Sequence, residues 1–238
     1  MDNATRFINA YNKIDNCLRS VYNFSPSMSF ADMIRRCADK SYIVRANEQL
    51  LIDFSRLRNA IVHKSTGEMI IAQPHDNVTI QIEQLASLIC APPTALSLFG
   101  SRKVTTMPAD IKLKDAIKLI TDTHYSNIPV YKGNHLKGIL NNKIIVDRIG
   151  AQIAKGRSVD EYLERETAEG ALDESYFGTY YRLCPSGVTI DEVVELFSQH
   201  RKLLAVLITQ DGLRNQKPMC IITTYDLAKI YNVLDDYV

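Results

Sequence analysis

The chain of 238 residues lacks any run approaching the roughly 20 apolar residues of a membrane-spanning helix, and no apolar segment of signal-peptide type opens it. Its five cysteines are odd in number and show no CxxC spacing, so neither a disulfide framework nor a zinc site is indicated. The chain also has no large excess of positive or negative charge, since it contains 28 Lys and Arg and 27 Asp and Glu. This balance argues against a protein that holds DNA or a membrane chiefly by charge. We expect a cytoplasmic protein without a metal site.

Signatures of enzyme chemistry are equally scarce. No nucleophile motif, Gly-rich phosphate loop or cluster of metal ligands stands out, and no cofactor is expected to be required. The acidic residues between positions 160 and 174 are interpreted as a solvated helix and linker. The 46% hydrophobic content is ample for a packed core, and the length suits one large domain or two modest ones.

The first part of the chain is predicted to be all-α. Ser29, with an acidic residue three positions later, resembles a capping box and precedes apolar residues at helical spacing. Residues 50–61 carry a second apolar stripe. Residues 78–89 begin with alternation and continue at helical spacing, which leaves their type open. The pair Pro92-Pro93 then ends any helix and marks a boundary.

From Gly100 onward, helical patterns alternate with short apolar runs of strand type, which predicts an α/β arrangement. The predicted strands are residues 127–131, 136–140, 203–209 and 219–223. Turn residues separate the members of each pair.

This part of the chain is also an internal repeat. The aligned positions include Ala116 with Val193, Pro129 with Ala205, and Leu140 with Ile222. Two copies of a helix–strand–turn–strand–helix unit are therefore predicted, the second with a longer turn.

The sequence resembles the CBS family at this point. A helix is followed by NIPVY, a turn, LKGIL and a further helix, and the second copy ends MCIITTYDLAKI. The resemblance covers residues 100–238, with the first repeat at about 100–155 and the second at about 180–238. It implies an α/β CBS pair of two βαββα-type repeats, preceded by an all-α helical domain over residues 1–95. It also implies a homodimer and a regulatory ligand, an adenine nucleotide (AMP, ADP, ATP or a cyclic dinucleotide).

The ending of the second copy has a physical interpretation of its own. Thr223 stands where a strand gives way to a helix, whose free N–H groups suit a phosphate. Asp226 can accept hydrogen bonds from two ribose hydroxyls, and the apolar strand residues can sandwich a base. The simpler alternative is that Thr223 only caps the helix and Asp226 only complements its dipole.

In the CBS family each cleft combines the Thr–Asp ending of one copy with strand residues of the other. Carried over by position, the resemblance implies six nucleotide-binding residues: Thr223, Asp226, Ile221, Tyr125, Ser126 and Thr105. The loop that contains Thr105 aligns poorly.

The first copy departs from this pattern. Asn141 stands where Thr is expected and Ile144 where Asp is expected, and an isoleucine cannot hold ribose hydroxyls. One competent and one degenerate cleft are therefore predicted. The basic run His200-Arg201-Lys202 borders the degenerate cleft, either as an attractant for phosphate or simply as a solvated helix end.

The segment RLRNAIVHKS places Arg58 inside the apolar stripe of its helix. Its Arg, polar residue and His resemble the motif of HEPN domains, helical modules of which some cleave RNA as dimers. The resemblance implies that Arg58 stabilises phosphate, Asn59 supports it and His63 acts as general acid and base. The structural alternative is that Arg58 pairs with Asp53 or Glu48 and that His63 caps the helix.

Three functions remain open from the sequence. The leading hypothesis is a regulatory module whose CBS pair binds an adenine nucleotide and controls the HEPN-like domain within a dimer. One alternative is an enzyme, a nucleotide-gated ribonuclease that needs no metal, uses Arg58 and His63 and takes RNA as its partner. The other alternative is a scaffold that binds no ligand.

Overall fold

The fold was derived from a computed structural model, which describes residues 2–63 and 73–235, without the side chain of His63. These residues form two compact units. The helical unit comprises the described residues up to Pro93, together with 189–195 and 227–235. The α/β unit comprises Thr94–Val188 and Leu196–Asp226.

The described residues contain twelve α-helices, two 3-10 helices and six strands. The α-helices are α1 (Asn3–Tyr22), α2 (Phe30–Ala38), α3 (Tyr42–Ala46), α4 (Glu48–His63), α5 (Asp76–Cys90), α6 (Ala95–Phe99), α7 (Leu113–Thr123), α8 (Asn142–Ala154), α9 (Val159–Arg165), α10 (Ala168–Ala171), α11 (Ile190–Gln199) and α12 (Leu227–Asp235). The strands are β1 (Met107–Pro108), β2 (Asn127–Lys132), β3 (His135–Asn141), β4 (Tyr181–Cys184), β5 (Ala205–Ile208) and β6 (Cys220–Thr223), and the 3-10 helices are Glu174–Tyr176 and Thr224–Asp226. In the described part of the chain, no helix combines the length and apolar character needed to cross a membrane.

The helical unit contains helices where apolar stripes predicted them. The Ser29 hydroxyl oxygen accepts a hydrogen bond from the Asp32 N–H at 3.1 Å, and the hydroxyl donates to the Asp32 carboxylate at 2.7 Å, so the predicted cap of α2 is present. The ambiguous run at 78–89 lies within helix α5. In the core, Phe7 of α1 meets Phe54 of α4 edge-on, with ring centroids 5.6 Å apart.

The α/β unit contains two three-stranded sheets of the same topology. Strand orders are β1-β2-β3 and β4-β5-β6, and in each sheet the first pair is parallel and the second antiparallel. The four predicted strand runs are confirmed as β2, β3, β5 and β6. Gly133 and Gly212 in the connecting turns have φ of 59° and 76°, a conformation that favours glycine.

Strand pairing corrects one part of the repeat alignment. Asn127 pairs with Asn141 in the first sheet, and Ala205 pairs with Thr223 in the second. Since Asn141 and Thr223 both end their strands, Asn127 corresponds to Ala205, and the alignment of Pro129 with Ala205 was wrong by two positions. A slip of two residues keeps every side chain on the same face of a strand, so an apolar pattern cannot detect it.

Strands β1 and β4 were not predicted, because β1 has only two residues and Arg182 interrupts the apolar run of β4. Met107 pairs with Val130 and Cys184 pairs with Ile208, so the two strands occupy equivalent places. Each equivalent residue is followed by proline, as Met107-Pro108 and Cys184-Pro185. The proline that recurs at this place in both repeats is a sequence signal that could have marked the two strands as equivalent.

The acidic segment between the repeats is only partly solvated. Helix α9 buries none of its residues, as the prediction required. Helix α10 differs, because Ala168 and Ala171 are fully buried in the core that Leu113 and Ala116 of α7 also enter. The small apolar side chains of α10 therefore complete the hydrophobic core of the first repeat, although charged residues flank them in the sequence.

A shared apolar cluster joins the two sheets inside the α/β unit. It consists of Leu136 and Ile139 from β3 with Tyr181, Ala205 and Leu207 from β4 and β5. The Leu136 N–H also donates to the Arg214 carbonyl in the long second turn at 2.8 Å. These contacts pack strand β3 of the first repeat against the strands and the long turn of the second repeat.

Candidate functional site

A cleft of about 500 Å³ lies within the α/β unit. The structure brings all six residues that the CBS resemblance implied into its lining: Thr105, Tyr125, Ser126, Ile221, Thr223 and Asp226. The cleft therefore combines the ending of the second repeat with loops of the first.

The position of each lining residue follows from local structure. Thr105 stands two residues before β1, while Tyr125 and Ser126 connect α7 to β2. Ile221 and Thr223 alternate along β6 and therefore point to the same face of that strand. Both are half-buried, whereas Ile222 between them is fully buried.

Asp226 is the most buried polar group of the cleft, with 8% of its surface exposed. Its Oδ2 accepts hydrogen bonds from the Thr223 N–H at 2.9 Å and from the Thr223 hydroxyl at 3.3 Å. Asp226 thus accepts from the backbone N–H of the residue three positions earlier, as the acidic residue of a capping box does. The carboxylate is held in a fixed orientation and does more than complement a helix dipole.

Arg102 is a lining residue that sequence reasoning missed. Its Nη1 donates to Asp226 Oδ1 at 2.5 Å, and its guanidinium lies 4.5 Å from the centroid of the Phe99 ring. About half of the Arg102 side chain remains exposed. It lies in the poorly aligned loop before β1, where no periodic pattern exists to mark it.

Further lining residues were also not predicted. Lys103 and His124 add nitrogen groups, and Tyr225 presents an aromatic ring that is 87% exposed. Asn127 Oδ1 is buried and, among the described residues, has no hydrogen-bond partner.

Neither a reactive thiol nor a set of metal ligands lies in the described part of the cleft. Burial raises the pKa of the nearby Cys220 thiol to about 11, so that thiol is protonated and unreactive near neutral pH. Within residues 2–63 and 73–235, no group of His, Cys, Asp and Glu side chains is arranged to hold a metal ion. The cleft instead offers one carboxylate, hydroxyls, cationic side chains and exposed tyrosine rings.

The equivalent positions of the first repeat are arranged differently. Asn141 caps α8, and its Oδ1 accepts from the Ile144 N–H at 2.9 Å. Ile144 itself is 0% exposed and belongs to the core of the first repeat. At the position equivalent to Tyr225, the Lys143 ammonium lies 5.8 Å from the ring centroid of Tyr180. These side chains offer no carboxylate for ribose. Arg201 and Lys202 are exposed.

Helix α4 brings Arg58 and Asn59 together, with Arg58 Nη1 donating to Asn59 Oδ1 at 3.4 Å. Arg58 also lies 5.9 Å from the Tyr11 ring centroid, and its buried Nε has no hydrogen-bond partner among the described residues. Among the described residues, Arg58 forms no ion pair with Asp53 or Glu48, the two partners that the structural alternative named, and Asp53 instead accepts from Arg56 at 2.7 Å. The side chain of His63 lies outside the described residues.

Comparison with known families agrees with this architecture. Residues 99–151, which span β1 to most of α8, match the family model described as "CBS domain". The chain contains a CBS domain. The second sheet repeats the topology of the first, so the α/β unit has the fold of a CBS pair. No curated protein is significantly similar to the chain.

Several solved CBS structures are similar to part of this chain. A putative signal-transduction protein with CBS domains from Burkholderia ambifaria is 20% identical, with 60% of this chain and 95% of that chain covered and a TM-score of 0.43. The CBS domain of a membrane protein from Sphaerobacter thermophilus is 17% identical, with 64% and 97% covered and a TM-score of 0.46. The CBS domain pair of protein MJ0100, solved with 5′-methylthioadenosine and S-adenosyl-L-methionine, is 15% identical, with 60% and 98% covered and a TM-score of 0.44.

Proposed function

We propose that the α/β unit is a regulatory module that binds one adenine nucleotide in the cleft around Asp226. The observation that carries this proposal is the convergence of Asp226 and Thr223 with Thr105, Tyr125 and Ser126 around one cavity. An oriented, nearly buried carboxylate suits a ribose diol, because both hydroxyls can donate to it. The exposed rings of Tyr125 and Tyr225 suit the face of a purine.

The regulatory part of the proposal rests on chain connectivity. Asp226 is the last residue of the α/β unit, and the next residue, Leu227, belongs to the helical unit. A ligand that forms hydrogen bonds with Asp226 therefore binds at the residue where the chain passes from the α/β unit to the helical unit. For regulation, the nucleotide must favour one arrangement of the helical unit by its own differential affinity. We further propose that the protein works as a homodimer.

Calorimetric titration of AMP, ADP, ATP and cyclic dinucleotides into the wild-type chain tests the binding step. We expect at least one of these ligands to bind near one molecule per chain, because the first repeat supplies no carboxylate to a second cleft. Sedimentation of the free and loaded protein reports the dimer and any ligand-dependent change. Absence of binding by every ligand contradicts the proposal and leaves the CBS pair as a scaffold.

A second candidate function, RNA cleavage without metal in a HEPN-like helical domain, is favoured by Arg58. Its Nη1 donates to Asn59 in an exposed hydrogen bond, and an RNA phosphate is a suitable further acceptor for a guanidinium group. We expect such activity to disappear in both Arg58→Ala and His63→Ala and to persist in Arg56→Ala, an exposed neighbour on α4. Equal cleavage by all variants assigns the activity to a contaminant, and no cleavage by the nucleotide-loaded protein removes this candidate.

A further inference from the structure

The charges that line the cleft are unequal. Arg102 and Lys103 are cations, and Asp226 is the single carboxylate among the lining residues. Within the described part of the chain, Lys103 has no carboxylate partner. Once Arg102 neutralises Asp226, an unpaired positive charge remains. A cavity of this kind attracts an anionic ligand and disfavours a cationic one.

Asp226 is also nearly saturated with hydrogen bonds. A carboxylate has about four acceptor sites, and three donors already use them: the Thr223 N–H, the Thr223 hydroxyl and Arg102 Nη1. A ribose diol brings two more donors. At least one of the present donors must therefore leave before the diol can bind fully.

Arg102 is the donor that a ligand can replace and satisfy elsewhere. The Thr223 N–H is fixed by the backbone, whereas the Arg102 side chain is half exposed and contacts the ring of Phe99 as well as Asp226. After leaving Asp226, the guanidinium can remain over Phe99 within the lining of the cleft. A phosphate then restores its charge pairing, and the planar guanidinium can bind it through two parallel hydrogen bonds.

We propose that Arg102 is a specificity-determining residue that holds Asp226 in the empty cleft and transfers to a ligand phosphate when the ribose takes the carboxylate. This inference rests on the proposed function and assigns recognition of the nucleotide's phosphate to Arg102. Adenosine itself must break the Arg102–Asp226 pair without compensation. An adenosine whose 5′ group is neutral or cationic has the same disadvantage.

Titration of adenosine and AMP into the wild type, Arg102→Gln and Arg102→Lys tests the inference. We expect the wild type to prefer AMP by roughly 10- to 100-fold, the effect of one charge-assisted contact. In Arg102→Gln the preference for AMP over adenosine is expected to fall to about threefold or less, because only the solvent-screened charge of Lys103 still attracts the phosphate. Adenosine is expected to bind this variant at least as tightly as it binds the wild type, since the competing pair is gone. Arg102→Lys, which keeps the charge but loses the two-pronged geometry, should lie between them.

Arg157→Gln is the matched control, because Arg157 is exposed and lies outside this cleft. It should leave the preference for AMP unchanged. An AMP preference in Arg102→Gln equal to that of the wild type overturns the inference while the proposed function stands, provided that both ligands bind. Failure of adenosine and AMP to bind the wild type overturns the inference, and failure of ADP, ATP and the cyclic dinucleotides as well overturns the proposed function. Melting temperatures of all variants identify any loss of binding that comes from unfolding.

Discussion

Replacing Asp226 by alanine is expected to weaken adenine-nucleotide binding by about 100-fold or more, because two charge-assisted hydrogen bonds to ribose are lost. Asp226→Asn keeps the size of the side chain and one carbonyl acceptor but loses the charge, so its affinity should lie between alanine and the wild type. Calorimetric titration of the best ligand measures all three proteins.

Folding must be separated from binding in this experiment. Asp226 accepts a hydrogen bond from the Thr223 N–H, and loss of a helix-capping contact costs about 1 kcal/mol of stability. The melting temperature of Asp226→Ala should therefore fall slightly. Asp115→Ala is the matched control, since Asp115 is an exposed carboxylate in the first turn of α7, and its affinity should stay within about twofold of the wild type. Wild-type affinity in a folded Asp226→Ala protein would place the ligand elsewhere.

Replacing Ile144 by aspartate is expected to destabilise the first repeat by more than about 4 kcal/mol, because the apolar side chain is lost from the core and a carboxylate is buried in its place. We do not expect the substitution to create a second nucleotide site. Ile144 is fully buried among the apolar residues of that repeat. The position that holds the ribose acid in the second repeat is thus a packing position in the first.

Urea unfolding followed by tyrosine fluorescence, which the twelve tyrosines permit, measures this effect. Ile144→Val is the matched control and should cost only about 0.5–1.5 kcal/mol while leaving nucleotide binding intact. A stable Ile144→Asp protein that binds two nucleotides per chain would show that the first cleft lacks only its acid.

The features that the sequence revealed are those with a strong local signal. Runs at 127–131 and 219–223 were found because short apolar runs bounded by turn residues are typical of strands. Thr223 and Asp226 were found because a strand ending followed by a helix carries recognisable residue types. The six residues selected by resemblance line one cleft.

The features that were missed have physical reasons as well. Arg102 lies in a loop without periodicity, and its pairing with Asp226 joins residues far apart in the sequence. The two-residue slip that set Pro129 on Ala205 left every apolar face unchanged, so only strand pairing exposed it. Asn127, whose side-chain oxygen is unsatisfied, was hidden at the start of a strand.

A crystal structure of the wild-type protein grown with AMP tests the central claim most directly. The account predicts one nucleotide per chain, with both ribose hydroxyls on the Asp226 carboxylate and the phosphate on a displaced Arg102. A nucleotide bound beside Asn141 and Ile144, with the Arg102–Asp226 pair intact, would contradict it.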